Sequence, residues 1–145
     1  MPDEVVLRDY PVLLGAEQQE HLYAVVREFQ LMTLSDRQQR SPVPARLLAM
    51  VEQIARAHAR TNEQRDAALD AGVRTVDVRF PRSSAILELV QEYERVLAEV
   101  DAFCLGDDLL VLARPPQVVA LQRWVTSEFV RQAEDREPLP WTGQR

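Results

Sequence analysis

A helix-dominated α+β fold is what the sequence predicts, with four or five amphipathic helices packed on a small sheet of two or three short strands. Three observations predict it. Apolar residues recur at three and four positions along most of the chain. One stretch, Val73 to Phe80, alternates with period two instead. Prolines and glycines cluster between these segments. An all-α bundle is the alternative, if the short apolar runs join the helices. The chain has 145 residues and a mass of 16.6 kDa, enough for about one domain. The expected division is a globular domain over 1–133 and an irregular, Pro-rich tail over 134–145.

The elements follow in order. Val5 to Leu14 reads as extended, because Pro11 disfavours helix at Tyr10. After Gly15, Leu22, Val25, Val26, Phe29 and Met32 share one face of a first helix over about 16–34, with Glu17, Glu20, Arg27 and Glu28 largely opposite. Ser35 to Pro44 is polar and reads as a loop. Pro44 suits the first turn of a second helix, where its missing N–H is not needed. That helix runs to about Arg60 on a stripe of Leu47, Leu48, Val51, Ile54, Ala55 and His58. Thr61 and Gln64 have capping-box spacing and predict a short third helix, stopped at Gly72.

In the strand that follows, Val76, Val78 and Phe80 face one way, and Thr75, Asp77 and Arg79 the other. Pro81 ends it, and Ser83 or Ser84 caps the next helix. The stripe of this fourth helix is the longest: Ile86, Leu89, Val90, Tyr93, Val96, Leu97, Val100, Phe103 and Cys104, up to a stop at Gly106. Asp107 and Asp108 read as a turn, and Leu109 to Ala113 as a short strand. Pro116 opens a last helix to about Ala133, with Val118, Leu121, Val125 and Phe129 inward and Trp124 nearby.

Composition excludes several kinds of chemistry. All 17 basic residues are arginine, so neither a Schiff-base lysine nor a P-loop lysine exists in this chain. The four glycines, Gly15, Gly72, Gly106 and Gly143, are scattered, so there is no glycine-rich phosphate loop. No cofactor motif is present. The net charge of −6 and pI of about 5.0 speak against nucleic acid and anionic membranes as partners. A single cysteine, Cys104, fits a reducing compartment. Met1-Pro2-Asp3-Glu4 lacks the basic and apolar regions of a signal peptide, and no run approaches a membrane span. The expectation is a cytoplasmic protein.

Candidate sites are few. Glu17, Glu20 and His21 lie at helical spacing, but supply too few ligands to close a metal site. His58 and Cys104 fall on apolar stripes and read as core residues. Arg79, Arg82, Ser83 and Ser84 place guanidinium groups and hydroxyls where a strand ends and a helix begins. That is a setting for an anion or a phosphorylated serine, although capping alone explains the serines. Tyr93, Trp124 and Trp141 are candidate anchors for a protein partner. The Leu139-Pro140-Trp141 segment is expected to dock on the body or on a partner. The stripe of the fourth helix also allows a homodimer seam.

Two segments carry a resemblance. One is Asp101-Ala102-Phe103-Cys104 followed by Asp108-Leu109-Leu110-Val111-Leu112. The other runs from Pro115-Pro116-Gln117-Val118-Val119-Ala120-Leu121-Gln122-Arg123-Trp124 to Ser127-Glu128-Phe129-Val130-Arg131-Gln132. Together with Val6-Leu7-Arg8-Asp9-Tyr10-Pro11 and Val43-Pro44-Ala45-Arg46-Leu47-Leu48, the chain resembles a group of small uncharacterised actinobacterial proteins. Their genes often neighbour those of anti-sigma-factor kinases and antagonists, the components of partner switching. The resemblance implies a non-enzymatic regulatory protein whose partner is a sigma-factor regulator, and carries over no catalytic residue. The alternative from the residues themselves is a small-ligand or anion sensor, with its site near Arg79 and Arg82.

Overall fold

The computed structural model describes residues 3–34, 43–106 and 113–143. In these residues a two-stranded antiparallel ribbon packs against four helices, as the helix-dominated α+β reading expected. The order is β1 (Glu4–Pro11), α1 (Val12–Leu34), α2 (Val43–Asp70), β2 (Thr75–Pro81), α3 (Ser84–Gly106) and α4 (Pro116–Ala133). The expected turn at Asp107–Asp108 and residues 109–112 of the expected third strand lie outside the described residues, as does the loop over 35–42.

Strand β2 keeps its period of two: Val78 and Phe80 are buried while Thr75, Asp77 and Arg79 are exposed. Strand β1 does not keep it throughout. Leu7 pairs with Val78 and Tyr10 with Val76, so β1 carries one extra residue between them. Asp9 takes a left-handed φ of 56° there, and its N–H donates to Oδ1 of Asp77 at 3.0 Å. The bulge resets the alternation, so Val5, Leu7 and Tyr10 all face the core.

A lone two-stranded ribbon is marginal in water. Here both edges are closed by glutamine amides at one rung, the Val6–Arg79 pair. On the β1 edge, Gln132 of α4 accepts from Val6 N–H and donates to Val6 C=O, both at 2.9 Å. On the β2 edge, Gln64 of α2 accepts from Arg79 N–H at 3.2 Å and donates to Arg79 C=O at 3.4 Å. Each amide stands in for a neighbouring strand.

Helix α1 begins at Val12, earlier than the sequence predicts. The Val12 N–H, which has no partner within the helix, donates to Arg74 C=O at 3.0 Å, so the turn after Pro11 is already satisfied. Glu28, placed on the outer side by periodicity, is 8% exposed. Helix α2 corrects the reading more substantially. The short third helix does not exist as a separate element, and Thr61 is not a cap. The stretch from Ala45 to Asp70 contains no glycine or proline, so nothing interrupts the backbone hydrogen-bond ladder. The stop is where the sequence placed it. Gly72, at φ 73°, ends the helix with N–H bonds from Val73 to Ala68 and from Gly72 to Leu69, a Schellman motif.

Two apolar clusters hold the layers together. One joins the ribbon to α4 through Val5, Leu7, Val78, Phe80, Leu121 and Phe129. The other joins α1, α2 and α3 through Val25, Phe29, Leu47, Val96, Val100 and Cys104. Ahead of α4, Arg114 is tied to Asp101 of α3 by ion-pair contacts of 2.8 and 2.9 Å and by its own backbone N–H. Over 134–143 the chain forms no helix or strand, and it is fastened to the body. Trp141 donates its N–H to Arg8 C=O at 2.9 Å and meets Trp124 edge-on at 5.5 Å. Buried Glu128 accepts from the Leu139 N–H, and Trp124 Nε1 donates to Leu139 C=O.

Candidate ligand-binding site

Between the two clusters lies a cavity of about 230 Å³ to which all six elements contribute. Leu7 and Tyr10 come from β1 and Phe80 from β2. Helix α1 supplies Gln18, Gln19, Leu22, Tyr23 and Val26; α2 supplies Thr61, Asn62 and Arg65. Tyr93 of α3, with Gln122 and Val125 of α4, completes the lining. Most of the wall is apolar or aromatic, with a few convergent polar groups, which is how small-molecule sites are commonly built.

The polar end is the informative part. Among the described residues, Arg65 is the one charged side chain that lines the cavity, and its side chain is 8% exposed. Nε and Nη2 face Oδ1 of Asp66 at 3.3 and 3.1 Å. Nη1 reaches the Gly15 carbonyl at 3.5 Å, a long contact. The guanidinium also lies against the Tyr10 hydroxyl. One turn before Arg65 on the same face, Thr61 is 6% exposed, and its Oγ1 has no protein partner among the described residues. Gln18 donates to Gln122 at 3.0 Å across the α1–α4 seam.

Tyr10 is present here because of the β1 bulge and because of Gly15. A Cβ at position 15 would stand 2.5 Å from the Tyr10 hydroxyl oxygen and 2.6 Å from its Cε1, so only glycine lets the ring lie against α1. Burial raises the Tyr10 hydroxyl above its ordinary value of 10.0, opposed by the positive charge of Arg65. Burial pushes the Tyr93 hydroxyl up more strongly, against the pull of Arg114 and with a small push from Tyr10. Both phenols are therefore neutral donors at physiological pH. Behind Tyr93 lies a void of about 10 Å³, bounded in part by His21, Asp101 and Arg114, with room for about one water.

The other candidates fall elsewhere. Arg79 faces Glu4 at 3.6 Å, and Arg82 faces Asp135 at 3.1 Å. Ser83 Oγ accepts from the Ile86 N–H at 3.4 Å, the capping role, and Ser84 is exposed in the first turn of α3. None of these four residues lines the cavity. Tyr93 is 5% exposed and lines the cavity, so it is not a surface anchor; Trp124 and Trp141 pack on each other and on the core. Cys104 is buried among apolar side chains. Glu17 and Glu20 are exposed, and among the described residues no three His, Cys, Asp or Glu side chains gather as a metal would need. The side chain of His58 lies outside the described residues. No helix among the described residues is long and apolar enough to cross a membrane.

Arg65, Thr61 and Tyr10 were not legible as a site from the sequence. One signal was available. Leu47, Val51, Ile54, His58, Thr61, Arg65 and Ala68 follow one another at three and four positions, so an unbroken helix puts Arg65 on the inner stripe. Dividing the helix at Thr61 lost that phase. No protein-family model, curated protein or solved structure matches this chain.

Proposed function

We propose that the protein is a binding domain for a small organic ligand, held in the cavity around Arg65. This keeps the ligand-sensor reading of the sequence and moves its site from Arg79 and Arg82 to the interior. The carrying observation is the buried Arg65 guanidinium on the same helix face as the Thr61 hydroxyl, which has no partner among the described residues, in a mostly apolar cavity whose other polar groups are neutral amides and phenols. A buried charge and an orphaned hydroxyl both cost stability unless something pairs with them. Tyr23, 53% exposed, gives the cavity a solvent-facing margin through which a ligand enters.

The test is a fragment screen read by methyl NMR. Fragments that fit the cavity shift the methyl signals of Leu22, Val26 and Val125, and Val26→Trp, which fills it, removes those shifts. Fragments that perturb only outward-facing methyls such as those of Leu13 and Leu31 would sink the reading.

A second reading is that the protein regulates by binding another protein, with a sigma-factor regulator as the partner the resemblance implies. In its favour, Leu105 is 80% exposed on α3 and Leu31 is 55% exposed on α1. Exposed large apolar groups are where partners dock when they form a patch. Affinity capture with the wild type and Leu105→Glu decides this: a partner held by both forms equally does not use that surface.

A further inference from the structure

The cavity has a chemical polarity that narrows its ligand. Its volume of about 230 Å³ is several times the roughly 30 Å³ share of one water in the liquid, and fits a molecule of on the order of ten non-hydrogen atoms. One end carries the Arg65 guanidinium, which only donates, and the neutral hydroxyls of Thr61 and Tyr10, which can each donate to a ligand. No carboxylate among the described residues lines the wall. The nearest anion to Arg65, Asp66, is 62% exposed and directed to solvent, and it engages Nε and Nη2. Among the described residues, Nη1 makes a long 3.5 Å contact with the Gly15 carbonyl, and the guanidinium also lies against the Tyr10 hydroxyl. A guanidinium carries five N–H groups, so capacity remains for a planar, two-oxygen acceptor. A phosphate brings up to two charges and three oxygens into a site with one cation, and is less well matched.

We propose that the cavity selects a small monocarboxylate, with its head on Arg65 and Thr61 and its apolar body against Leu22, Val26 and Phe80. The inference rests on the ligand-binding reading above. Three side chains from two elements, α2 and β1, hold the head group. Arg65 supplies the charge, Thr61 a hydroxyl one helical turn away, and Tyr10 a neutral phenol from the ribbon. The selectivity is local, since the chain as a whole carries a net charge of −6.

Calorimetric titration of three acids against their primary amides tests it: benzoate and benzamide, phenylacetate and phenylacetamide, hexanoate and hexanamide. Each pair shares size and shape and differs in charge. At least one acid is expected to bind about tenfold more tightly than its amide, the smaller end of what a charge-assisted hydrogen bond contributes. Arg65→Gln removes that preference. Because Arg65 is buried and its loss can unfold the chain, Asp66→Asn serves as a second variant at an exposed position. By removing the competing negative charge beside the guanidinium it tightens the acid several-fold and leaves the amide unchanged. Equal affinity within every pair, or no binding of any acid to the folded protein, overturns carboxylate selectivity, as does a preference for phenyl phosphate over all three acids. If neutral fragments still shift the methyls of Leu22, Val26 and Val125, the ligand-binding reading survives that result; if nothing shifts them, both fall.

Discussion

Gly15 shows how one residue sets both stability and site geometry. Inside a helix, alanine ordinarily surpasses glycine by about 1 kcal/mol. Here the added methyl would collide with Tyr10 at 2.5–2.8 Å, so Gly15→Ala is expected to destabilise by about 1–3 kcal/mol in urea unfolding. It also displaces the hydroxyl from Arg65. The double variant Tyr10→Phe, Gly15→Ala does not relieve the clash, because Cε1 of the ring is itself within 2.6 Å. The tyrosines make a pH prediction too. Tyr10 and Tyr93 hold their protons in the folded state beyond the ordinary value of 10.0. Above that pH the unfolded chain loses these protons and the folded chain keeps them, so stability from this source is complete below about pH 9 and falls as the pH rises past 10. The urea midpoint is expected to drop between pH 9 and pH 11, and Tyr93→Phe is expected to reduce the drop.

At the scale of elements, the glutamines at the ribbon edges act differently because they sit in different solvent. Gln132 is 4% exposed, and its loss leaves Val6 N–H and C=O without their partner. Gln132→Ala is expected to cost about 2 kcal/mol, since it orphans two part-buried backbone groups at about 1 kcal/mol each, the lower end of the cost of a buried one. The Gln64 bonds to Arg79 are exposed, where water replaces them. Gln64→Ala is expected to cost under about 1 kcal/mol by the same principle. Hydrogen exchange distinguishes the two: Val6 N–H loses protection in the first variant, and Arg79 N–H changes little in the second. The elements themselves were largely legible. The limits of α4 at Pro116 and Ala133 coincide with the reading because proline starts a helix by removing a donor it does not need. Helix α2 was misread at Thr61 because a capping-box pattern is local, and a helix already under way has no need of a cap.

For the whole molecule, the tail acts as a strap. It covers the outer edge of β1 through Arg8 and closes the Trp124 face of α4. Uncovered strand edges invite pairing with other chains. Trp141→Ala is therefore expected to lower the thermal midpoint by several degrees, corresponding to about 2 kcal/mol. It is also expected to shift Trp124 fluorescence to the red and raise the tendency to associate, read by light scattering. An unchanged Trp124 spectrum would show that the strap does not hold.

The sequence by itself determined the main apolar stripes of the helices, the β2 alternation, a serine cap at Ser83 or Ser84 and the Gly72 stop. Each follows from backbone periodicity or from the conformational limits of one residue, and those act over a few positions. The sequence also excluded lysine chemistry and a phosphate loop by simple absence. Only the tertiary structure decided where the polar groups meet. Arg65 is one of 17 arginines with no motif around it, and Tyr10 lies in a stretch that reads only as extended. A one-residue bulge turned Tyr10 inward, and the unbroken α2 brought Thr61 and Arg65 beneath it. A cavity formed by six elements depends on distances between segments as far apart in sequence as Leu7 and Val125, and no local pattern encodes those distances.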